Sequence, residues 1–577
     1  MSGSNNDWKG SPRLSRRSLV RGAALAGVGL AGAALIGCSS GKAPSASTPG
    51  GAAAGAGNAV GTATAAAGNA NAKKGGRLQV YASATAPNLD PMLSISIHTH
   101  QRISLVYNNL VEMQRGPKGV YDTVIGPDMA QSWEAAGDGL TWTFKLRSGA
   151  KWANVAPMNG RVVNAEDIVY SMKRNLAPEN GNVGRYEMLD GAPKAIDATT
   201  VQFKLKYPHP GFFFNMASEP SEIQPREAVE KSGDLKNWGA GSGPFIMTKY
   251  DAQTAATYVK NPDYYDAPNV HLEGVDWTVI PDKATAIANF RSGQLDVLGS
   301  AITHALLPAD TEAVMKSVPK AQRTDFYTPS QTAIEMNSKS PLFKDLRVRQ
   351  AVNMVMDRKA HIAALSGGQG TITGTFPFHR FPEYALPDAE IQALTKTDIA
   401  EAKKLMAAAG VENGFTAKIM WQPPQQSSVN VHVEMLKQIG IKLDTAAEAV
   451  DYPAWVSKTY NGQYSDFAEW GYLVGSIWEY VGGLHRTGGN RNGPATSNPE
   501  LDGMIDKLMR TIKTEDQQAM VKDIERYVLT KSLYIIPLTV SATSLVEQGH
   551  VRDFKPGYGA MGGVYLSPHL RRSWLDK

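Results

Sequence analysis

The chain contains a single cysteine, Cys38, among 577 residues. One cysteine cannot form an intrachain disulfide or build a thiolate metal site, so these two ways of stabilising a fold are excluded. The folded part must therefore be held together by an apolar core, and 42% hydrophobic residues are ample for one. At roughly 150 residues per domain, the length predicts three to four domains.

Two short targeting motifs stand near the start of the chain. A basic motif, SRRSL at 15–19, precedes a moderately apolar run that ends in LIGC at 35–38. This layout predicts a cleaved export signal over 1–37 rather than a permanent anchor. The basic motif resembles a twin-arginine export signal, and LIGC resembles a bacterial lipobox, in which Cys38 is lipidated and becomes the mature N-terminus. The alternative is a chance cysteine behind a signal peptide.

These motifs predict an exported protein, lipid-anchored through Cys38 on the outer face of the cytoplasmic membrane, in a periplasm or cell-wall space. Residues 38–75 consist mainly of Ser, Gly, Ala, Thr, Pro and Asn, which bury too little apolar surface to become ordered, so we expect a flexible stalk. The net charge is +5, but 1–37 carries five basic residues and one acidic residue, which leaves +1 for the rest. This balance gives no reason to expect a nucleic-acid partner.

The rest of the chain mixes strand and helix patterns. Strand patterns cover 77–83, 141–146, 201–205 and 533–540. Helical patterns cover 164–176, 282–291, 345–365, 398–410, 430–439 and 501–529. Asn164 and Asp167 have the spacing of a capping box at the start of the first helix. Strands and helices without strict βαβ repetition predict an α/β body with more than one lobe.

Several short segments follow one another in the order typical of one family. They are GGRL at 75–78, NLDP at 88–91, PDMAQSWE at 127–134, DGLTWTFKLRSG at 138–149, AEDIVYS at 165–171, GSGPF at 241–245, NPDYY at 261–265, RSGQLD at 291–296 and RVRQAV at 347–352. Together they resemble the extracellular solute-binding proteins of family 5, the peptide- and nickel-type substrate-binding proteins of ABC importers. The resemblance covers about residues 73–570.

The resemblance implies an α/β fold of the two-lobed periplasmic-binding-protein clamshell type (type II, large cluster-C-like), with an extra domain inserted in lobe I. Lobe I would comprise 76–90, 205–298 and 505–577, the inserted domain 91–204, and lobe II 299–504. Such a protein captures an extracellular solute, an oligopeptide or peptide-like compound, by lobe closure. It then delivers the solute to the transmembrane subunits of an ABC permease. The resemblance implies a monomer without a cofactor.

The same resemblance indicates where the ligand binds. Peptide binders of the family carry Trp-x-Ala-Asp-Tyr in the cleft, and the Asp holds the ligand's α-ammonium. Here the segment reads EWGYLVG at 469–475, and the Asp is missing at the matched place. Glu469 or Glu479 could replace it, or the ligand could be a non-peptide solute such as an oligosaccharide or an opine-like compound. The expected ligand-binding residues are Trp470, Tyr472, Trp478, Tyr81, Trp421, Glu469, Arg486 and His485.

Other classes have little support in the sequence. The only Gly-x-Ser-x-Gly match, at 37–41, lies at the signal cleavage site, and no His-Glu-x-x-His occurs. An enzyme that uses the cleft for hydrolysis is therefore a remote alternative, and a surface adhesin without a small ligand is a third class. His98 and His100 could form a metal pair on a strand, but two exposed loop histidines are the favoured interpretation, so no metal site is expected.

Overall fold

The computed structural model describes residues 71–94, 96–116, 121, 123–299, 303–328, 331–376, 378–472, 476–555, 557–558, 564–565 and 569–577. The predicted export signal, the lipobox with Cys38 and the stalk up to residue 70 lie outside these ranges. Within them, no helix combines the length and the apolar character that crossing a membrane requires.

The described residues form strands and helices throughout. The strands are β1 Arg77–Ala82, β2 Val111–Arg115, β3 Thr123–Pro127, β4 Ala130–Ala135, β5 Thr141–Leu146, β6 Lys194–Asp197, β7 Thr200–Lys204, β8 Phe245–Asp251, β9 Ala255–Lys260, β10 Gly274–Val279, β11 Val297–Leu298, β12 Gln322–Tyr327, β13 Gln331–Met336, β14 Gly370–Ile372, β15 Phe415–Trp421, β16 Ile441–Ala449, β17 Phe467–Tyr472, β18 Ile535–Glu547, β19 Val551–Arg552, β20 Gly557–Tyr558, β21 Val564–Tyr565 and β22 Trp574–Leu575.

The helices of five or more residues are α1 Ile97–Ile103, α2 Ala165–Asn175, α3 Phe212–Met216, α4 Arg226–Ser232, α5 Lys283–Arg291, α6 Pro308–Ser317, α7 Leu346–Val355, α8 Arg358–Ser366, α9 Asp388–Leu394, α10 Ile399–Ala408, α11 Gln426–Lys437, α12 Tyr452–Tyr460, α13 Pro499–Met509 and α14 Thr514–Tyr527. A single turn at Ile477–Glu479 continues into a π-helical segment, Tyr480–His485. The predicted α/β class is confirmed.

Three sheets organise the body. The first has the order β1-β10-β9-β8, with β1 parallel to β10. The second, β4-β5-β7-β6, is antiparallel throughout and is formed within 130–204. The largest has the order β11-β18-β13-β17-β15-β16, and β12 and β14 also pair with β18. Each sheet has its own apolar core, so the chain folds around several hydrophobic centres rather than one.

Local capping signals placed several helices correctly. Asn164 accepts hydrogen bonds from the backbone N–H groups of Glu166 and Asp167, and the Asp167 carboxylate accepts one from the Asn164 N–H. This is the predicted capping box. Asp282 likewise caps α5 by accepting from the Thr285 N–H at 2.7 Å.

Two long helical patterns proved to be pairs of helices. The pattern over 345–365 is interrupted because Met356 leaves the helical conformation and Asp357 caps a second helix, accepting from the N–H groups of Lys359 and Ala360. The pattern over 501–529 divides into α13 and α14. In both cases the apolar periodicity resumes after the break, so the pattern alone could not show it.

The packing of the C-terminal part differs from the predicted lobe boundaries. Residues 505–577 were assigned to lobe I, but Val521 and Ile524 of α14 pack in one apolar cluster with Trp455 and Trp470 of predicted lobe II. The apolar face of α14 is therefore buried in the core that also contains residues of the large sheet. Only the last part of the segment, including Leu575, packs in the core of the first sheet. The residue boundaries of the predicted domains otherwise stay predictions.

Candidate functional site

Helix α1 forms one wall of the candidate site. All seven of its residues are buried, and the His98 ring meets the ring of Tyr452, on α12, edge-on at 5.6 Å between centroids. α1 packs in the core of the first sheet, whereas Tyr452 packs against a core that includes residues of the large sheet. We call the parts of the body around these two sheets its two halves, with the antiparallel sheet of 130–204 counted with the first. Burial lowers the pKa of His98 to about 3, so its imidazole is neutral at physiological pH. The prediction of exposed loop histidines at 98 and 100 was wrong: both residues are buried on a helix.

A buried ionic cluster lies where 183–187 meets 479–491. The Glu479 carboxylate forms an ion pair with the Arg185 guanidinium and a second with Arg491, whose Nε lies 3.2 Å from Glu479 Oε1. The three side chains are 3–6% exposed. Arg491 also packs over the ring of Tyr460 at 5.3 Å. Charges at this depth are tolerated only when paired, so the cluster ties two distant parts of the chain together.

Aromatic rings stand behind this cluster. The indoles of Trp470 and Trp455 stack at 4.6 Å between centroids, and Tyr460 meets Trp470 edge-on at 4.8 Å. Trp455 and Trp470 are buried in one apolar cluster, so the rings form a rigid aromatic wall behind the charged groups.

Several buried polar atoms on α1 and on the segment 480–485 have no hydrogen-bond partner among the described residues. They are Nδ1 of His98, both polar atoms of the Gln101 amide, Oη of Tyr480 and Nε2 of His485. Leaving such atoms without a partner costs free energy, so they favour a ligand or water that supplies the missing hydrogen bonds. Burial lowers the pKa of His485 to about 4, so this ring is also neutral and can donate through one nitrogen and accept through the other.

Four of the predicted ligand-binding residues lie on β17 or in the segment 476–491 that carries the ionic cluster. Trp470 is part of the aromatic wall. Trp478 is half-buried, and its Cδ1 would lie 2.9 Å from a Cβ placed at Gly211 in the opposite half. His485 packs against Phe376 at 6.3 Å between ring centroids. Arg486 forms ion pairs with Glu187 and Asp506, at 3.0 and 2.8 Å.

Three others lie elsewhere, and we place them outside the site. Burial raises the pKa of Tyr81 to about 12, and its ring stacks on His304 within a separate apolar cluster. Trp421 donates its indole N–H to the Thr445 carbonyl at 2.7 Å, within the core on the far side of the large sheet. The Glu469 side chain points away from the aromatic wall because successive residues of β17 face opposite sides of the sheet.

For Tyr472 the structure describes only the backbone, which pairs with Gln331 across β17 and β13. The side chain lies outside the described part, so its predicted role stays a prediction.

Sequence reasoning missed the residues that α1 and 183–187 contribute, above all His98, Gln101 and Arg185. Their only local signal was the His-x-His pair, which predicted a different environment. No group of three or more His, Cys, Asp or Glu among the described residues could hold a metal ion.

Comparison with known proteins gives the same fold and one family. The model of the family "Bacterial extracellular solute-binding proteins, family 5 Middle" matches residues 124–482. Heme-binding protein A of Haemophilus influenzae is 27% identical over 527 residues, which covers 84% of this chain and 91% of that protein.

Two solved structures extend the likeness to almost the whole folded body. The periplasmic binding protein DppA of Helicobacter pylori, in complex with the peptide STSA, superposes with a TM-score of 0.75 at 20% identity, covering 88% of this chain and 99% of that one. The binding protein AgaA of A. tumefaciens R10, in complex with agropinic acid, gives a TM-score of 0.75 at 22% identity, covering 87% and 99%. The fold is therefore the two-lobed periplasmic-binding-protein clamshell, as the sequence predicted.

Proposed function

Since the chain belongs to the bacterial extracellular solute-binding proteins of family 5, we propose that it captures an oligopeptide or peptide-like solute between its lobes and delivers it to the transmembrane subunits of an ABC permease. The observation that carries this proposal is the site itself. Neutral polar side chains on α1 and on 480–485 carry buried atoms without a hydrogen-bond partner among the described residues, and stacked aromatic rings lie nearby. Such a site binds by closure and changes no covalent bond, so we propose a receptor and not an enzyme.

The charged groups at the site bear on the nature of the ligand. Glu469, the residue before Trp470 of the matched segment, accepts a hydrogen bond from Ser428 and lies beside His432. Glu479 lies at the site but is already paired with two arginines. A peptide's α-ammonium would have to share Glu479 with these guanidinium groups, which makes the peptide N-terminus a weaker anchor than in relatives that carry the family Asp.

This pairing favours a second candidate ligand class within the same role, a non-peptide organic solute such as an opine-like compound. The neighbour AgaA is bound to agropinic acid. An opine-like ligand would present carboxylate and hydroxyl groups to Arg185, Arg491 and the neutral histidines, without an ammonium to be placed.

We further propose the arrangement predicted from the sequence for the parts that the structure does not describe. A twin-arginine-like signal exports the chain, lipid on Cys38 anchors it to the outer face of the cytoplasmic membrane, and residues 38–75 hold a monomeric body away from the surface. The proposed ligand-binding residues are Trp470, Trp478, His485 and Arg486 from the sequence, together with His98, Gln101, Arg185 and Arg491.

The test is native mass spectrometry of protein purified from its own host, followed by denaturation and identification of the released compound. A panel of di- to pentapeptides, agropinic acid, oligosaccharides and heme is then screened by thermal shift and calorimetry. A released or stabilising peptide supports the first class, and an opine-like compound supports the second. If no compound is released and none in the panel binds, while a generic ester or glycoside panel is turned over, the receptor proposal is wrong.

A further inference from the structure

Two ion pairs of opposite polarity cross between the halves of the body at one place. On one side, 183–187 of the predicted inserted domain offers Arg185 and Glu187. On the other side, 479–491 offers Glu479 and Arg486. Arg185 pairs with Glu479, and Arg486 Nη1 donates to the two oxygens of Glu187 at 3.0 and 3.1 Å. Because the charge order is reversed between the pairs, only one alignment of the two segments brings opposite charges together.

The two pairs differ in their environment. The Arg185–Glu479 pair is buried, whereas the Arg486 and Glu187 side chains are 32% and 44% exposed. Arg491 adds a second cation to the inner pair, and Asp506 adds a second anion to the outer one. Each charged group at this contact therefore faces at least one group of opposite sign, so the contact is complementary along its whole length.

Contacts other than ion pairs fix the same alignment. The Asn215 amide donates to the Arg185 carbonyl at 2.8 Å, which holds the 183–187 segment in place. A Cβ placed at Gly184 would lie 3.9 Å from the Cβ of Asn490, so the two segments come close to each other between the ion pairs. The Arg510 guanidinium packs over the Tyr207 ring at 4.7 Å on the outer side.

We propose that these two segments form a clasp that holds the lobes closed, and that Arg185 and Glu187 thereby give the inserted domain a direct part in ligand enclosure. The inference rests on the proposed function, because it concerns closure over the same site. Since the clasp is made only of protein groups, it stabilises the closed state before ligand binds, and a ligand needs to supply only the remaining difference between open and closed states.

A cysteine pair tests the clasp directly. Gly184→Cys with Asn490→Cys, in the full chain carrying Cys38→Ser, places two Cβ atoms at a distance suited to a disulfide, about 3.5–4.5 Å. We expect this pair to oxidise in protein freed of bound compounds by unfolding and refolding. Glu134→Cys with Thr143→Cys, opposite each other on β4 and β5 of one sheet, is the control that oxidises whether the lobes are open or closed.

Charge variants in the same background show whether the ion pairs hold the two segments together or whether the segments merely lie close to each other. We expect Glu479→Gln to slow the oxidation of the 184–490 pair at least tenfold and Glu187→Gln to slow it about threefold, while the 134–143 pair is unaffected. The matched control is Arg226→Gln with Glu230→Gln, an exposed pair within α4 that lies 2.6 Å apart. It should change neither rate. If Glu479→Gln fails to fold, the half-exposed Glu187→Gln still decides the question.

The clasp proposal is overturned if the 184–490 pair oxidises only after addition of the peptide STSA or agropinic acid, or if neither charge variant slows it. Its failure is distinguishable from failure of the proposed function. Ligand binding without a clasp would leave calorimetric binding intact and the cysteine pair reduced. A clasp without a receptor function would leave the pair oxidised and the whole ligand panel without binding.

Discussion

The Glu469 carboxylate is buried beside helix α11. The Ser428 hydroxyl donates to Oε1 at 2.5 Å, and His432 Nδ1 lies 2.8 Å from Oε2, with both residues on α11. We expect Glu469→Ala to lower the free energy of unfolding by about 3 kcal/mol, because it leaves the buried Ser428 hydroxyl without its acceptor and removes the carboxylate beside His432. Ligand affinity should not change, since the side chain faces away from the site. Urea unfolding and calorimetry measure the two effects.

Arg491→Met is the contrasting variant. It removes a group at the site, so affinity should fall at least tenfold while Glu479 keeps its pairing with Arg185. A loss of affinity from Glu469→Ala as large as that from Arg491→Met would show that Glu469 contacts the ligand.

The sequence identified the segment around Trp470 but could not show which strand face meets the ligand, because alternation gives two faces and not their surroundings. Arg185 carried no signal at all, since its partner Glu479 lies 294 positions further along the chain. Residue roles that depend on such long-range meetings could not be predicted.

The break between α7 and α8 gives a prediction at the scale of the element. Asp357 caps α8 by accepting from the N–H groups of Lys359 and Ala360, each at 3.0 Å. Asp357→Ala should lower the free energy of unfolding by about 1 kcal/mol, and Asp357→Ser should restore most of it. Thermal unfolding at matched pH measures both, and equal stability of the Ala and Ser variants would contradict the capping role.

Strand β18 carries a second prediction. Burial raises the pKa of Glu547, at its C-terminal end, from its ordinary range to about 7, although the nearby Arg115 opposes the shift. A carboxyl with a raised pKa binds its proton more tightly when folded, so its contribution to stability is lost as pH rises from about 4.5 through 7. Relative to wild type, Glu547→Gln should gain stability over this window, by at most about 3 kcal/mol. Parallel stability–pH curves for the two proteins would contradict this.

Helix starts marked by a capping residue could be predicted from the sequence. The extent of a strand that depends on its partner strands could not. Asn164 and Asp282 marked helix starts that the structure confirms. The length of β18, thirteen residues, exceeds the predicted 533–540 because four partner strands extend its ladder. Nothing in its own residues encodes those partners.

At the scale of the whole molecule, the order of family segments was enough to predict the two-lobed fold, because a family's topology is shared even when its site residues differ. It was not enough to place α14, which packs on the large sheet, nor to show how the two halves meet. Those contacts depend on side chains that the family segments do not contain.

Lobe separation can be measured through the fluorescence of one of the eleven tryptophans, Trp478. Trp478 stands in the 476–491 region, close enough to Gly211 of the opposite half that its indole must change surroundings when the lobes separate. Trp421 is held within one half by its hydrogen bond to Thr445, so lobe motion leaves its surroundings unchanged. We expect Trp478→Phe to remove most of the ligand-dependent change in tryptophan fluorescence and Trp421→Phe to retain it, at equal ligand occupancy measured by calorimetry. The reverse result would mean that ligand binding reorganises the large-sheet core rather than the contact between the lobes.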